Sequence, residues 1–167
     1  TPVDALKTRT HGDYHLGQVL VSHNDFYIID FEGEPARPLE QRRQKSSALK
    51  DVAGMIRSFD YAAYQASRWA LEQPLPNAEA AVAAAEGWGQ LVQDIFLSAY
   101  TEAIDGAPSW PGDEAARRLL DLFLLEKALY EIVYEATNRP RWLDVPLSGL
   151  ARLLSMEMPD GETTQES

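Results

Sequence analysis

A chain of 167 residues, 45% of them hydrophobic and four of them Trp, has the length and the apolar content for a buried core and is not a disordered sequence. It contains no Cys, which excludes a disulfide framework and thiolate metal sites. A formal net charge of −11 disfavours nucleic acid and anionic lipid as partners, and an anionic substrate would need a divalent cation to screen it.

No apolar run approaches the roughly 20 residues of a membrane span. Residues 1–10 lack a signal-peptide core, so the expected location is cytoplasmic. The chain begins with Thr and reaches an informative motif at residue 11, so it reads as a piece of a longer protein.

In chain order, residues 7–10 alternate Lys, Thr, Arg and Thr, as an extended lead-in does. The polar, Gly-containing stretch HGDYHLGQ, residues 11–18, reads as a loop. Val19-Leu20-Val21 and Phe26-Tyr27-Ile28-Ile29 favour strands, and His23-Asn24-Asp25 between them is turn chemistry, which predicts a β-hairpin. Residues 32–47, with Gly33, Pro35, Pro38 and a charged run, read as a surface loop.

From Ala48 the apolar spacing becomes helical through Leu49, Val52, Ile56, Phe59 and Ala63, to about Leu71 before Pro74. Asn77 suits the cap of a second helix over 78–104, and a third is predicted over 113–138, stopped by Pro140. On that third helix Leu122, Leu125, Leu129, Ile132, Val133 and Ala136 are expected to face the core. A last short helix follows Pro146, and residues 159–167 are expected to be a flexible tail. One hairpin followed by helices predicts a mostly helical α+β fold.

The loop and hairpin have the pattern that phosphoryl transfer needs. One carboxylate must orient and deprotonate the attacking hydroxyl, and oxygen ligands must hold Mg²⁺, all on a rigid support. In kinases the base Asp lies five residues before a metal-binding amide, and an Asp-Phe follows on a later segment. Here Asp13 lies five residues before Gln18, and Asp30-Phe31-Glu32 follows the hairpin, which folds the two segments back on each other. His11 and His15 read as hydrogen-bonding groups that orient the loop rather than as metal ligands. A carboxylate at Asp51 suits the N-terminus of the first long helix, and its expected role is to accept hydrogen bonds from the loop.

The motif HGDYHLGQ with IIDFEGEP resembles the aminoglycoside-phosphotransferase-like kinase superfamily, whose usual form is His-Gly-Asp-x-His-x-x-Asn followed by Asp-Phe or Asp-Trp. Residues 30–64 and 126–150 are similar to bacterial maltokinases, which occur alone or fused to trehalose synthase. The resemblance implies the C-terminal lobe of a protein-kinase-like fold over residues 1–158, with the loop and hairpin at 7–33 and a helical subdomain at 48–156. The ATP-gripping upper lobe would lie outside this chain.

It further implies ATP-dependent phosphorylation of maltose to maltose 1-phosphate for glycogen synthesis, with Asp13 as the base and Gln18 and Asp30 on Mg²⁺. The isolated chain is then expected to be inactive. Gln18 departs from the usual Asn, and Glu32 is left open among a metal, a sugar hydroxyl and a loop amide. Lys127, Tyr130, Glu131, Tyr134 and Asn138 share one helical face, and the resemblance makes that face, with Arg57, the expected sugar site. The alternatives are a related kinase for an aminoglycoside or amino alcohol, and a non-catalytic interaction module.

Overall fold

The computed structural model describes residues 5–157. Residues 159–167, where a flexible tail is expected, lie outside the described residues. The chain divides into two compact units, Thr1–Leu124 and Leu125–Ser167.

The first unit opens with Thr8 in an isolated antiparallel bridge to Ser46. A single 3₁₀ turn, Leu16–Gln18, leads into β1 (Val19–Ser22), which pairs antiparallel with β2 (Asp25–Ile28) in the register Val19–Ile28 to Ser22–Asp25. His23 and Asn24 both have positive φ, 51° and 61°. Two left-handed residues make the tight turn whose twist matches paired strands, and Asn tolerates that conformation. The loop expected over 32–47 carries one helical turn, α1 (Leu39–Arg42), started by Pro38 with its fixed backbone angle.

Next come α2 (Leu49–Glu72) and α3 (Ala78–Ile104), packed against each other. Asn77 caps α3 by accepting the Ala80 amide at 3.0 Å. Gly89 permits the close approach of α3 to α2: a Cβ there would lie 2.8 Å from the Cβ of Ala63. Leu49, Val52, Ile56 and Ala116 are buried together, with Phe96, Tyr100, Trp110, Leu120 and Phe123 packed around them. An aromatic chain runs through this core, with Phe59 meeting Phe96 edge-on at 5.8 Å and Trp88 edge-on at 6.4 Å.

Arg57, expected at the sugar site, is only 2% exposed and donates to Asp60 at 2.6 Å. Asp60 also accepts from Gln93 on α3 at 2.9 Å, so the charge of Arg57 is balanced inside the α2–α3 contact.

Helix α4 (Asp113–Asn138) runs through the boundary at Leu124. A 3₁₀ turn, Pro140–Trp142, and α5 (Asp144–Glu157) complete the second unit. The apolar face expected on α4 is not the buried one. Leu122, Leu129 and Val133 are exposed, whereas Ala128, Glu131 and Glu135 are buried. Ala128, Glu131 and Glu135 follow one another at three- and four-residue steps, which puts them on one face. Burial of a carboxylate requires a partner, and Arg139 supplies one to Glu135 through two hydrogen bonds of 2.6 and 2.9 Å. Hydropathy periodicity could not show this, because the pairing depends on a residue beyond the helix end.

Candidate active site

The polar loop 11–18 is held mainly by one face of α2. Asp51, in the first turn, accepts the backbone amides of His11 and Gly12 at 2.6 and 2.9 Å. Seven residues on, Ser58 accepts the Leu16 amide at 3.2 Å and donates to the Met55 carbonyl at 2.8 Å. Between them lies Gly54, where a Cβ would stand 2.5 Å from the Tyr14 carbonyl oxygen. Positions 51, 54 and 58 recur at helical spacing, so α2 presents a carboxylate, a gap and a hydroxyl in line to the loop.

A second clamp joins the loop to the segment after β2. His11 is buried, its ring packed 4.9 Å from that of Phe31. Its Nδ1 accepts the Asp13 amide at a long 3.4 Å, which places the ring proton on Nε2, and Nε2 donates to the Ile29 carbonyl at 2.7 Å. Gly12 and Gly33 meet here: a Cβ on Gly12 would lie 3.2 Å from the Gly33 Cα. The Ile29 amide donates to the Gln18 carbonyl at 3.0 Å, which continues the hairpin ladder to the edge of the loop.

These clamps set out the chemically useful groups. The Gln18 side chain donates through Nε2 to Asp30 Oδ2 at 3.1 Å. Asp30 has φ of +63°, a left-handed conformation that costs a non-glycine residue of order 1 kcal/mol and that Asp tolerates better than most. Asp13 is partly exposed, and its Oδ2 lies 3.9 Å from Nε2 of His15. The Nδ1 of His15 accepts the Gly17 amide at 3.0 Å. Glu32 is exposed, and its backbone carbonyl accepts from Arg42 at 3.3 Å.

Asp51 also acts on two phenols. Burial first, and then the Asp51 charge, push Tyr14 and Tyr100 above the usual tyrosine range. No three His, Asp or Glu side chains gather into a metal-holding group among the described residues.

The stripe expected to bind sugar lies in the second unit. Tyr130 and Tyr134 stack at 6.3 Å, Lys127 sits over Tyr130 at 5.6 Å, and the Asn138 amide donates to the Tyr134 carbonyl at 2.9 Å. Glu131 is buried. Arg139 lies over Tyr134 and Trp142 at 5.3 and 5.5 Å.

Sequence reasoning missed Gly54, Ser58, Asp60, Gln93, Glu135 and Arg139. An isolated Gly inside a helical pattern is a signal of close backbone approach, and Gly54 carried it. The others carry no local signal.

Fold and site together define a mostly helical α+β chain in which a polar loop carrying Asp13 leads into a hairpin whose ends pair Gln18 with Asp30. No family model matches the chain. It is 36% identical over 146 residues, 86% of its length, to a glucosamine kinase of Mycolicibacterium smegmatis, and covers 34% of that protein.

Two solved glucosamine kinase structures are similar to it. One, a crystal form of the enzyme, has a TM-score of 0.72 at 29% identity and covers 89% of this chain and 34% of its own. The other, with glucosamine, ADP and inorganic phosphate, has a TM-score of 0.69 at 30% identity and covers 86% and 32%. The chain thus spans about a third of the length of the curated relatives it matches.

These relatives overturn the maltokinase reading. The similar proteins are named for glucosamine, not maltose, and nothing in them points to trehalose synthase or to glycogen synthesis. A loop-and-acid pattern serves phosphoryl transfer whatever the hydroxyl acceptor, so the motif alone could not choose the acceptor. No helix among the described residues is long and apolar enough to cross a membrane.

Proposed function

We propose that this chain is the catalytic-loop portion of an ATP-dependent aminosugar kinase, with glucosamine as the acceptor, in the C-terminal lobe of a kinase-like fold. The observation that carries it is the 36% identity to a glucosamine kinase over 146 residues, 86% of this chain. The solved relative with glucosamine, ADP and inorganic phosphate supports both the nucleotide and the acceptor.

In this reading Asp13 takes the proton of the acceptor hydroxyl as that oxygen bonds to the γ-phosphorus, and the bond to the ADP oxygen breaks. Asp30 and the Gln18 amide oxygen would hold Mg²⁺, which when bound neutralises charge on the phosphates. The donor set fits: Mg²⁺ takes one or two carboxylates and draws its other ligands from phosphate and water, so no all-protein cage is needed. The clamps from Asp51, Ser58 and His11 keep the base and the metal ligands in register, which is the positioning that phosphoryl transfer depends on.

The test is ADP release by the full-length protein with Mg²⁺-ATP and glucosamine, glucose or maltose. Turnover led by glucosamine is expected. Maltose-dependent turnover without glucosamine-dependent turnover would overturn the acceptor assignment. This 167-residue chain alone is expected to give no useful rate, because it is about a third of the relatives' length and one wall of a nucleotide cleft does not position ATP.

A further inference from the structure

His15 makes two contacts that together point to a role. Its Nδ1 accepts the Gly17 amide at 3.0 Å, so in the neutral ring the proton sits on Nε2. That Nε2 is the atom turned to Asp13 Oδ2, at 3.9 Å. The ring lies directly over Gly17: a Cβ there would stand 2.8 Å from Cε1 and 3.0 Å from Nδ1. The absence of a side chain at residue 17 and the amide of the same residue therefore fix both the place of the imidazole and its tautomer.

We propose that His15 is a positioning residue for the base Asp13, an assignment that rests on the kinase reading above. The Nε2–H faces Oδ2 and leaves Oδ1 to take the proton of the acceptor hydroxyl. The distance is beyond hydrogen-bond length, as contacts among catalytic groups often are before substrate binds, and closes in the substrate complex. His15 neither gives nor takes the reaction's proton. It selects the oxygen that does and holds the carboxylate in one rotamer.

Two substitutions separate this role from simple capping of the 3₁₀ turn. His15→Asn keeps an acceptor for the Gly17 amide but removes the N–H that faces Asp13. His15→Gln places an amide N–H near the position of Nε2 and gives up the cap. In the full-length protein His15→Asn is expected to lower kcat about tenfold with KM for ATP within about twofold, and His15→Gln to recover part of the loss. Wild-type kcat in His15→Asn, or equal loss in both variants, would overturn the proposal.

A second readout does not need turnover. Nitrogen-15 spectra of the histidine rings, with His15 assigned by its absence from the His15→Asn variant, should show the Nε2–H tautomer and a shift of that signal in Asp13→Asn. An Nδ1–H tautomer, or a signal indifferent to Asp13, would overturn it. If wild-type protein phosphorylates no acceptor, the kinase reading fails and the spectra alone decide whether His15 holds Asp13.

Discussion

The hairpin and the α2–α3 pair are both rich in apolar residues, yet they use them in opposite ways. In α2, Leu49, Val52, Met55, Ile56 and Phe59 are each 7% exposed or less, whereas Val21, Phe26 and Phe31 of the hairpin segment are 71%, 69% and 56% exposed. Two strands cannot enclose a core of their own, and an isolated hairpin is at best marginal in water. The loop and hairpin are therefore ordered mainly by polar tethers: the Asp51 carboxylate and the Ser58 hydroxyl hold the loop, and His11 bonds to Ile29 just beyond β2. The helices stabilise the unit, and the proposed reactive groups flank a hairpin that contributes little burial.

The contrast can be broken first by chemistry. Asp13→Asn in the full-length protein should lower kcat by about 10²–10⁴ with thermal stability unchanged, measured by ADP release beside a melting curve. Near-normal turnover would remove Asp13 from the role of base.

Among stability effects the largest belongs to the helices. Phe59→Ala should cost about 3–5 kcal/mol in denaturant unfolding, because it opens a cavity between Phe96 and Trp88.

The tethers come next. Asp51→Ala leaves the His11 and Gly12 amides without their acceptor and should cost about 2–3 kcal/mol. Hydrogen exchange should locate the change in residues 11–18 before α3. Loss spread evenly over the unit would mean that Asp51 serves the helix rather than the loop.

Burial, and after it the Asp51 charge, sets an alkaline limit. Tyr14 and Tyr100 are raised in the folded state, so the fold holds their protons more tightly than the unfolded chain does. That stabilisation is fully present below the unfolded tyrosine value, about 10, and is lost as pH rises through the folded values. Asp51→Asn should bring both phenol titrations down, which absorbance at alkaline pH reads directly.

The smallest effect is expected on the hairpin surface. Phe26→Ala should change stability by no more than about 0.5 kcal/mol, since its ring has little burial to lose. A cost near that of Phe59 would erase the distinction between the two regions.

The elements themselves were legible. The turn chemistry at 23–25 and the strand runs beside it predict the hairpin, and Asn77, Pro140 and the apolar spacing of α2 predict helix boundaries that the structure places within a residue or two. Such features rest on interactions between near neighbours, where residue type constrains backbone directly. The order Asp13, Gln18, Asp30 is also a sequence property, and so is the glycine gap at position 54.

The tertiary structure alone decided which side chains meet across long stretches of chain. Leu16 reaches Ser58, Asp60 reaches Gln93, and Gly12 lies against Gly33. It also decided that Arg57 is buried beside Asp60 and that α4 buries Glu135 while exposing Val133. Hydropathy scores a residue by its own transfer preference. A buried charge is decided by whether a partner arrives, and that partner is supplied by the folded chain.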